Sequence, residues 1–262
     1  MLTQNMGALF GSTLAVVRGY NNESAVNVAY DLVNRGITVV FSGPACEKTD
    51  AWISERGLDT NELFKRKIID DYKRTPERPY DLWCEGLNAG VEVLKEGSKS
   101  FQYFLPVSGE VLFTEENLVA LYEHMLYNPN VGVTGVTFAA EMPDGSPVPL
   151  GPTYSMRPRN TFCIWRSSLF TDVHSPLVNG FDTRCNAKMG MEDYHACLKL
   201  LLDTFYDVAF LNLKVRLRVG VNHNQTVKEL NEALAMQRIN VMMLKDEKNI
   251  LDSSQVERFI AA

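Results

Sequence analysis

The chain has 262 residues, 45% hydrophobic and 22% charged, with a formal net charge of −6. That is enough for one large domain or two small ones around a sizeable core, with the make-up of a soluble globular protein. The acidic balance argues against a general nucleic-acid binder, so an anionic substrate would need local Lys or Arg side chains or a metal.

Five cysteines, Cys46, Cys84, Cys163, Cys185 and Cys197, are widely spaced and include no CxxC pair. This argues against a zinc site or a disulfide framework and for reduced thiols in a cytoplasmic setting. The first residues, MLTQNMGALFGS, lack the basic start and apolar core of a signal peptide. No run approaches the roughly 18 apolar residues of a membrane span.

Thr13 to Val17 (TLAVV) reads as a buried strand ending in the turn Arg18-Gly19-Tyr20-Asn21-Asn22. Glu23 to Arg35 has apolar residues at helical spacing (Ala25, Val28, Ala29, Leu32, Val33), and Gly36 ends it. Ile37 to Phe41 is a second buried strand, stopping at Ser42-Gly43-Pro44. A strand-helix-strand unit predicts a parallel sheet, whose ligands bind beyond the carboxyl ends of the strands. Arg18 to Asn22 and Ser42 to Pro44 are therefore expected on the binding edge.

Thr49 to Gly57 reads as a helix. Leu63 to Arg78 is dense in charge and reads either as a solvated face or as a phosphate contact. Tyr80 to Lys95 is a helix containing Asn88 and Gly90, both poor formers, so packing or a polar contact should compensate them. Phe101 to Pro106 is a strand running out into Val107-Ser108-Gly109-Glu110. Thr114 to Tyr127 is a helix with Thr114 as its N-cap, and Val131 to Phe138 is a further strand.

Glu141 to Arg159 contains five prolines and reads as a loop or β-excursion, long enough to carry function. Asn160 to Ser167 is a strand, followed by a short helical turn over Ser168 to Val173. Val208 to Leu211 is a strand, and Lys214 to Val221 an alternating edge strand. Val227 to Leu244 is an amphipathic helix that covers the sheet or mediates a homodimer. Trp52, Trp83 and Trp165 read as core or pocket wall, and His195 as facing solvent or a backbone carbonyl.

The richest stretch is Asn179 to Leu202. A Gly180-Phe181-Asp182 turn precedes the acid pair Glu192-Asp193, which opens an apolar helical run. Acids in a helix's first turn suit its dipole and can be caps alone. The same position can hold a catalytic base beside a pocket.

In order, these landmarks resemble a GT-A-fold glycosyltransferase of the inverting, nucleotide-sugar-dependent family 2 type, over about residues 13 to 225. Asn88-Ala89-Gly90 resembles the family's Asn-x-Gly helix. Ser108-Gly109-Glu110 falls at its Asp-x-Asp motif, and Asn179-Gly180-Phe181-Asp182 at its Gly-Gly-Phe-Asp turn. Met191-Glu192-Asp193 resembles its Glu-Asp motif, and Val221-Asn222-His223 its Val-x-His. The resemblance implies an α/β fold: a GT-A-like, Rossmann-like, mostly parallel sheet flanked by helices, with an antiparallel portion in the C-terminal half. Residues 1–225 would form one domain and 226–262 a helical extension.

It also implies a sugar transfer from a nucleotide-sugar, by analogy a UDP-sugar, to a saccharide or other hydroxyl acceptor. Asp193 would be the base, with Glu192 beside it and Asp182 positioning the acceptor or the acidic loop. Arg18, Tyr20, Asn21, Ser42, Asn88, Ser108 and Gly109 would border the donor. Glu110 and His223 would hold a divalent cation, Mn²⁺ or Mg²⁺, bridging the diphosphate.

Ser108-Gly109-Glu110 offers one carboxylate where the family has two. A metal-independent enzyme, with Arg159, Arg166, Arg216 or Arg218 balancing the diphosphate, stays open. So do a scaffold that binds without turnover and, on the thin Arg18-Gly19 signature, a nucleotidyltransferase.

Overall fold

The computed structural model describes residues 2–19, 21–69, 83–97, 100–141, 147–148, 159–183 and 192–218. Helix α1 (Leu2–Gly11) precedes β1 (Thr13–Arg18), α2 (Glu23–Asn34), β2 (Thr38–Gly43), α3 (Glu47–Glu55) and β3 (Phe64–Ile68). Helix α4 (Trp83–Lys95), β4 (Tyr103–Ser108), β5 (Val111–Leu112), α5 (Glu115–Tyr127), β6 (Val131–Glu141) and β7 (Pro147–Val148) follow. The chain then forms β8 (Cys163–Arg166), α6 (Ser168–Thr171), α7 (Glu192–Asp203) and β9 (Asp207–Arg218). No helix among the described residues is long and apolar enough to cross a membrane.

The strands form one nine-stranded sheet in the order β3-β2-β1-β4-β8-β6-β9-β5, with β7 on β6. The pairs β3–β2, β2–β1, β1–β4 and β6–β9 are parallel. The pairs β4–β8, β8–β6, β9–β5 and β6–β7 are antiparallel. The architecture is therefore α/β with a mixed sheet, evenly split rather than mostly parallel. Continuous parallel pairing runs through β3-β2-β1-β4, and beyond it only β6 and β9 pair in parallel. Strand β8 lies between β4 and β6 and runs against both, a long-range pairing that local pattern does not encode.

Alternation along each strand sends side chains to opposite faces. Ala15 and Val17 of β1 join a core under α2 and α5, while Leu14 and Val16 join another under α4, α6 and α7. Both poor formers in α4 are explained by contacts. A Cβ at Gly90 would overlap Val16, so this glycine lets the helix lie directly on β1. Asn88 is taken up below. Helix α5 begins as expected: the Thr114 hydroxyl accepts the Asn117 N–H at 3.3 Å, and the Asn117 side chain accepts the Thr114 N–H at 2.9 Å.

Three expectations change. The charged stretch after Leu63 begins with β3, the sheet's edge, where lysines commonly guard against further pairing. Val208–Leu211 and Lys214 onward are not two strands but one, and β9 is interior, between β6 and β5. A bulge separates its halves: Val136 pairs with Leu211 and Phe138 with Val215, and Lys214 takes a φ of 50°. Helix α1 was not anticipated. The interior of the proline loop, residues 219–225 and the helix expected over Val227–Leu244 lie outside the described residues.

Candidate functional site

The site begins with register. Arg18 closes β1, facing Ser42 on β2 and Ser108 on β4. Three of the expected donor-side residues thus stand in one row at the carboxyl ends of three adjacent parallel strands. Such an edge is where open α/β sheets bind ligands.

Helix α7 brings the acid pair to this row. Glu192 Oε1 lies 3.5 Å from Arg18 Nη1, and the two side chains are 4% and 14% exposed. Asp193 is buried beside it. Burial, reinforced by the Asp193 charge and opposed by Arg18, pushes the Glu192 carboxyl up to about 7. Carboxylates at a helix N-terminus are favoured by its dipole, but this pair is packed inside rather than solvated. The buried Cys163 thiol of β8 is pushed up chiefly by desolvation, and also by Cys197 and Asp193.

A second set of contacts fixes the turn before α7. The Asn88 side chain of α4 donates to the Phe181 carbonyl at 2.8 Å and accepts the Phe181 N–H at 2.7 Å. It acts as a strand partner would. Gly180 has a φ of 80°, and a Cβ there would overlap the Asn88 amide oxygen, so both backbone and neighbour require glycine. One turn earlier in α4, the Cys84 thiol donates to the Asp182 carbonyl at 3.1 Å. The Asp182 carboxylate then faces His195 Nε2 at 3.9 Å, with the His195 side chain 8% exposed. Helix α4 thus holds the 180–182 turn, and the turn holds the first turn of α7.

The remaining candidates fall around this centre. The Ser108 hydroxyl donates to Glu110 at 2.9 Å, and Glu110 is exposed in the turn before β5. Gly109 packs on Ala25, and its carbonyl accepts from Ser24 at 2.6 Å. Asn21, at a φ of 45°, donates its backbone N–H to Thr49 at 3.1 Å, and the Asn22 side chain caps α2 by accepting from Ser24 N–H. Tyr20 and His223 lie outside the described residues.

Several roles differ from expectation. Asn88, expected at the cofactor, engages the Phe181 backbone instead. His195, expected to face solvent or a carbonyl, is buried against Asp182. Its place three residues after Glu192, one helical turn on, was the available signal. Arg166, a candidate for diphosphate charge, sits at the opposite edge and donates to the carbonyls of Met125, Asn128 and Val131. It caps the end of α5. Arg159 is buried where the chain enters β8, on the side of Ser108, whose N–H bonds Thr161. Arg216 is exposed on β9. Trp165 is a core residue whose indole N–H donates to Asn160 at 3.1 Å.

Of the two expected cation ligands, Glu110 and His223, only Glu110 is among the described residues. Glu110 contributes a single carboxylate already bonded to Ser108, and no group of three or more His, Cys, Asp or Glu side chains among the described residues could hold a metal. Compared with known proteins, the chain matches no family model and no curated sequence.

Proposed function

We propose that the protein is a GT-A-like glycosyltransferase that moves a hexosyl or pentosyl group from a nucleotide-sugar to a hydroxyl acceptor, with inversion. The observation that carries this reading is the convergence of Glu192-Asp193 on the carboxyl-end row of Ser42, Arg18 and Ser108. The run β3-β2-β1-β4, followed by an antiparallel neighbour, supports it as a topology. Fold-level analogy is a weaker warrant than the site.

In this reading Asp193 takes the acceptor's proton. The acceptor oxygen bonds the anomeric carbon as the bond from that carbon to the diphosphate breaks. The electron pair leaves with the nucleoside diphosphate, the UDP of a UDP-sugar. Asp182 and His195 set the first turn of α7, and so the direction of Asp193. Glu192, the residue before that base, pairs with the Arg18 cation.

The test is release of nucleoside diphosphate from a panel of nucleotide-sugars, with and without simple saccharide acceptors. Asp193→Asn should lower release by roughly 10²- to 10⁴-fold, the range of a positioned base. Undiminished release in this variant removes Asp193 from the mechanism. A second reading, a scaffold that binds without turnover, is favoured by the Ser108–Glu110 bond, which ties up the only carboxylate at the Asp-x-Asp position. Nucleotide binding with no release from any donor would select it.

A further inference from the structure

We propose that Arg18 and Ser42, held side by side under Gly86, form a metal-independent cradle for a phosphate-class anion, with Glu192 the resident counter-ion that the ligand replaces. This rests on the reading above for the identity of the anion, the diphosphate of a nucleotide, but not for the existence of the cradle.

Three observations converge. The first is the Arg18–Glu192 pair itself, 3.5 Å apart at the carboxyl end of β1. One carboxylate oxygen faces one guanidinium nitrogen, and a phosphate oxygen carries the same charge to the same donor. The second is Ser42, 1% exposed, whose hydroxyl has no hydrogen-bond partner among the described residues. A buried hydroxyl without a partner is costly, and a site that awaits an acceptor accounts for it. The third is Gly86 on α4. A Cβ there would stand 3.1 Å from Ser42 Oγ and 3.3 Å from Arg18 Cδ. Both distances are shorter than ordinary van der Waals contact, so glycine lets α4 pack down on the two side chains and hold them side by side.

Arg18 keeps 14% of its side chain exposed, while its Nη1 is buried.

The experiment is thermal shift and calorimetry of the full chain with inorganic pyrophosphate and, separately, UDP, each with EDTA, Mg²⁺ or Mn²⁺. Arg18→Gln and Ser42→Ala are compared with the unaltered chain. Stabilisation by both ligands is expected in EDTA. Arg18→Gln should weaken binding roughly hundredfold and Ser42→Ala roughly tenfold, the scale of lost hydrogen bonds to a charged group. Ser42→Ala guards against a folding artefact. It removes an unpaired buried hydroxyl, so the free protein should melt no lower while anion binding falls.

UDP binding tighter than pyrophosphate supports both the cradle and the nucleotide reading. Equal binding leaves the cradle standing and removes the nucleotide. Stabilisation by UDP only with Mn²⁺ or Mg²⁺, unchanged in Ser42→Ala, overturns the cradle and leaves the transferase reading intact. No stabilisation by either ligand overturns the cradle, and nucleotide-sugar binding in the same assay then decides the transferase reading alone.

Discussion

Replacing Asn88 with alanine tests whether α4 holds the turn that aims α7. The substitution removes both hydrogen bonds to Phe181, of 2.8 and 2.7 Å, and leaves a backbone N–H and C=O without their partner. Phe181 is 2% exposed, so water compensates poorly. Each buried group left unmade costs about 1–3 kcal/mol. Alanine's better helix propensity returns roughly 0.6 kcal/mol. A net loss of about 1.5–5.5 kcal/mol follows for the exchange. Urea denaturation followed by tryptophan fluorescence reads it as a lower midpoint at constant slope. Gly180→Ala adds a sign test. Alone, it meets both its positive φ and the Asn88 oxygen. In the Asn88→Ala background the second obstacle is gone, so the double variant should be less destabilised than the sum by about 1 kcal/mol or more. A loss below about 1 kcal/mol for Asn88→Ala, with strict additivity, would refute the clamp.

Two further outcomes follow from the buried acids and the half-buried Cys46 thiol. Glu192 is raised from its ordinary value to about 7, so between those limits the folded protein holds a proton that the unfolded chain has released. The contribution is fully present below the ordinary value and is lost as pH rises through about 7. Melting temperature should fall across that window, and Glu192→Gln should flatten the fall; an unchanged slope assigns it to other groups. Cys46 is held below its ordinary value first by the Thr49 hydroxyl, then by backbone N–H groups. Cys84, Cys163 and Cys197 are fully buried. Among these four thiols Cys46 should alkylate fastest with iodoacetamide at neutral pH, and Thr49→Val should slow it; equal rates in both proteins would remove Thr49 as the cause.

The local signals were legible. Apolar spacing and Gly36 define α2, Thr114 and Asn117 define the start of α5, and the short apolar runs define β1 and β2. What could not be read is long-range or disguised. Strand β3 is three basic residues between Phe64 and Ile68, and only its place at the sheet's edge makes that charge compatible with a strand. Strand β9 looked like two because its bulge sets polar residues and a positive φ at mid-strand. The insertion of β8 between β4 and β6 depends on partners more than 25 residues away on either side.

At the site the division is similar. The sequence marks Arg18, Ser42, Ser108, Glu192 and Asp193 by their positions at element ends, and the strand register places the first three side by side. It does not reveal that Asn88 works on Phe181, 93 residues away. Nor does it reveal that Arg18 meets an acid from the far end of the described chain. Isolated motifs carry residue types, whereas a partnership appears only once the sheet order is known.

That partnership bears on the chemistry. A buried carboxylate beside another is unfavourable unless a cation lies close. Arg18 is the cation paired with Glu192, and it comes from β1, not from the helix that carries the acids. The acid pair therefore cannot be a helix cap alone, since a cap is satisfied by its own helix's N–H groups. Its burial depends on the sheet edge, and any anion that draws Arg18 away changes the state of Glu192. The carboxyl end of β1 and the first acid of α7 are thus coupled through one guanidinium. In a transferase, that coupling would link the arrival of the leaving group to the environment of the base.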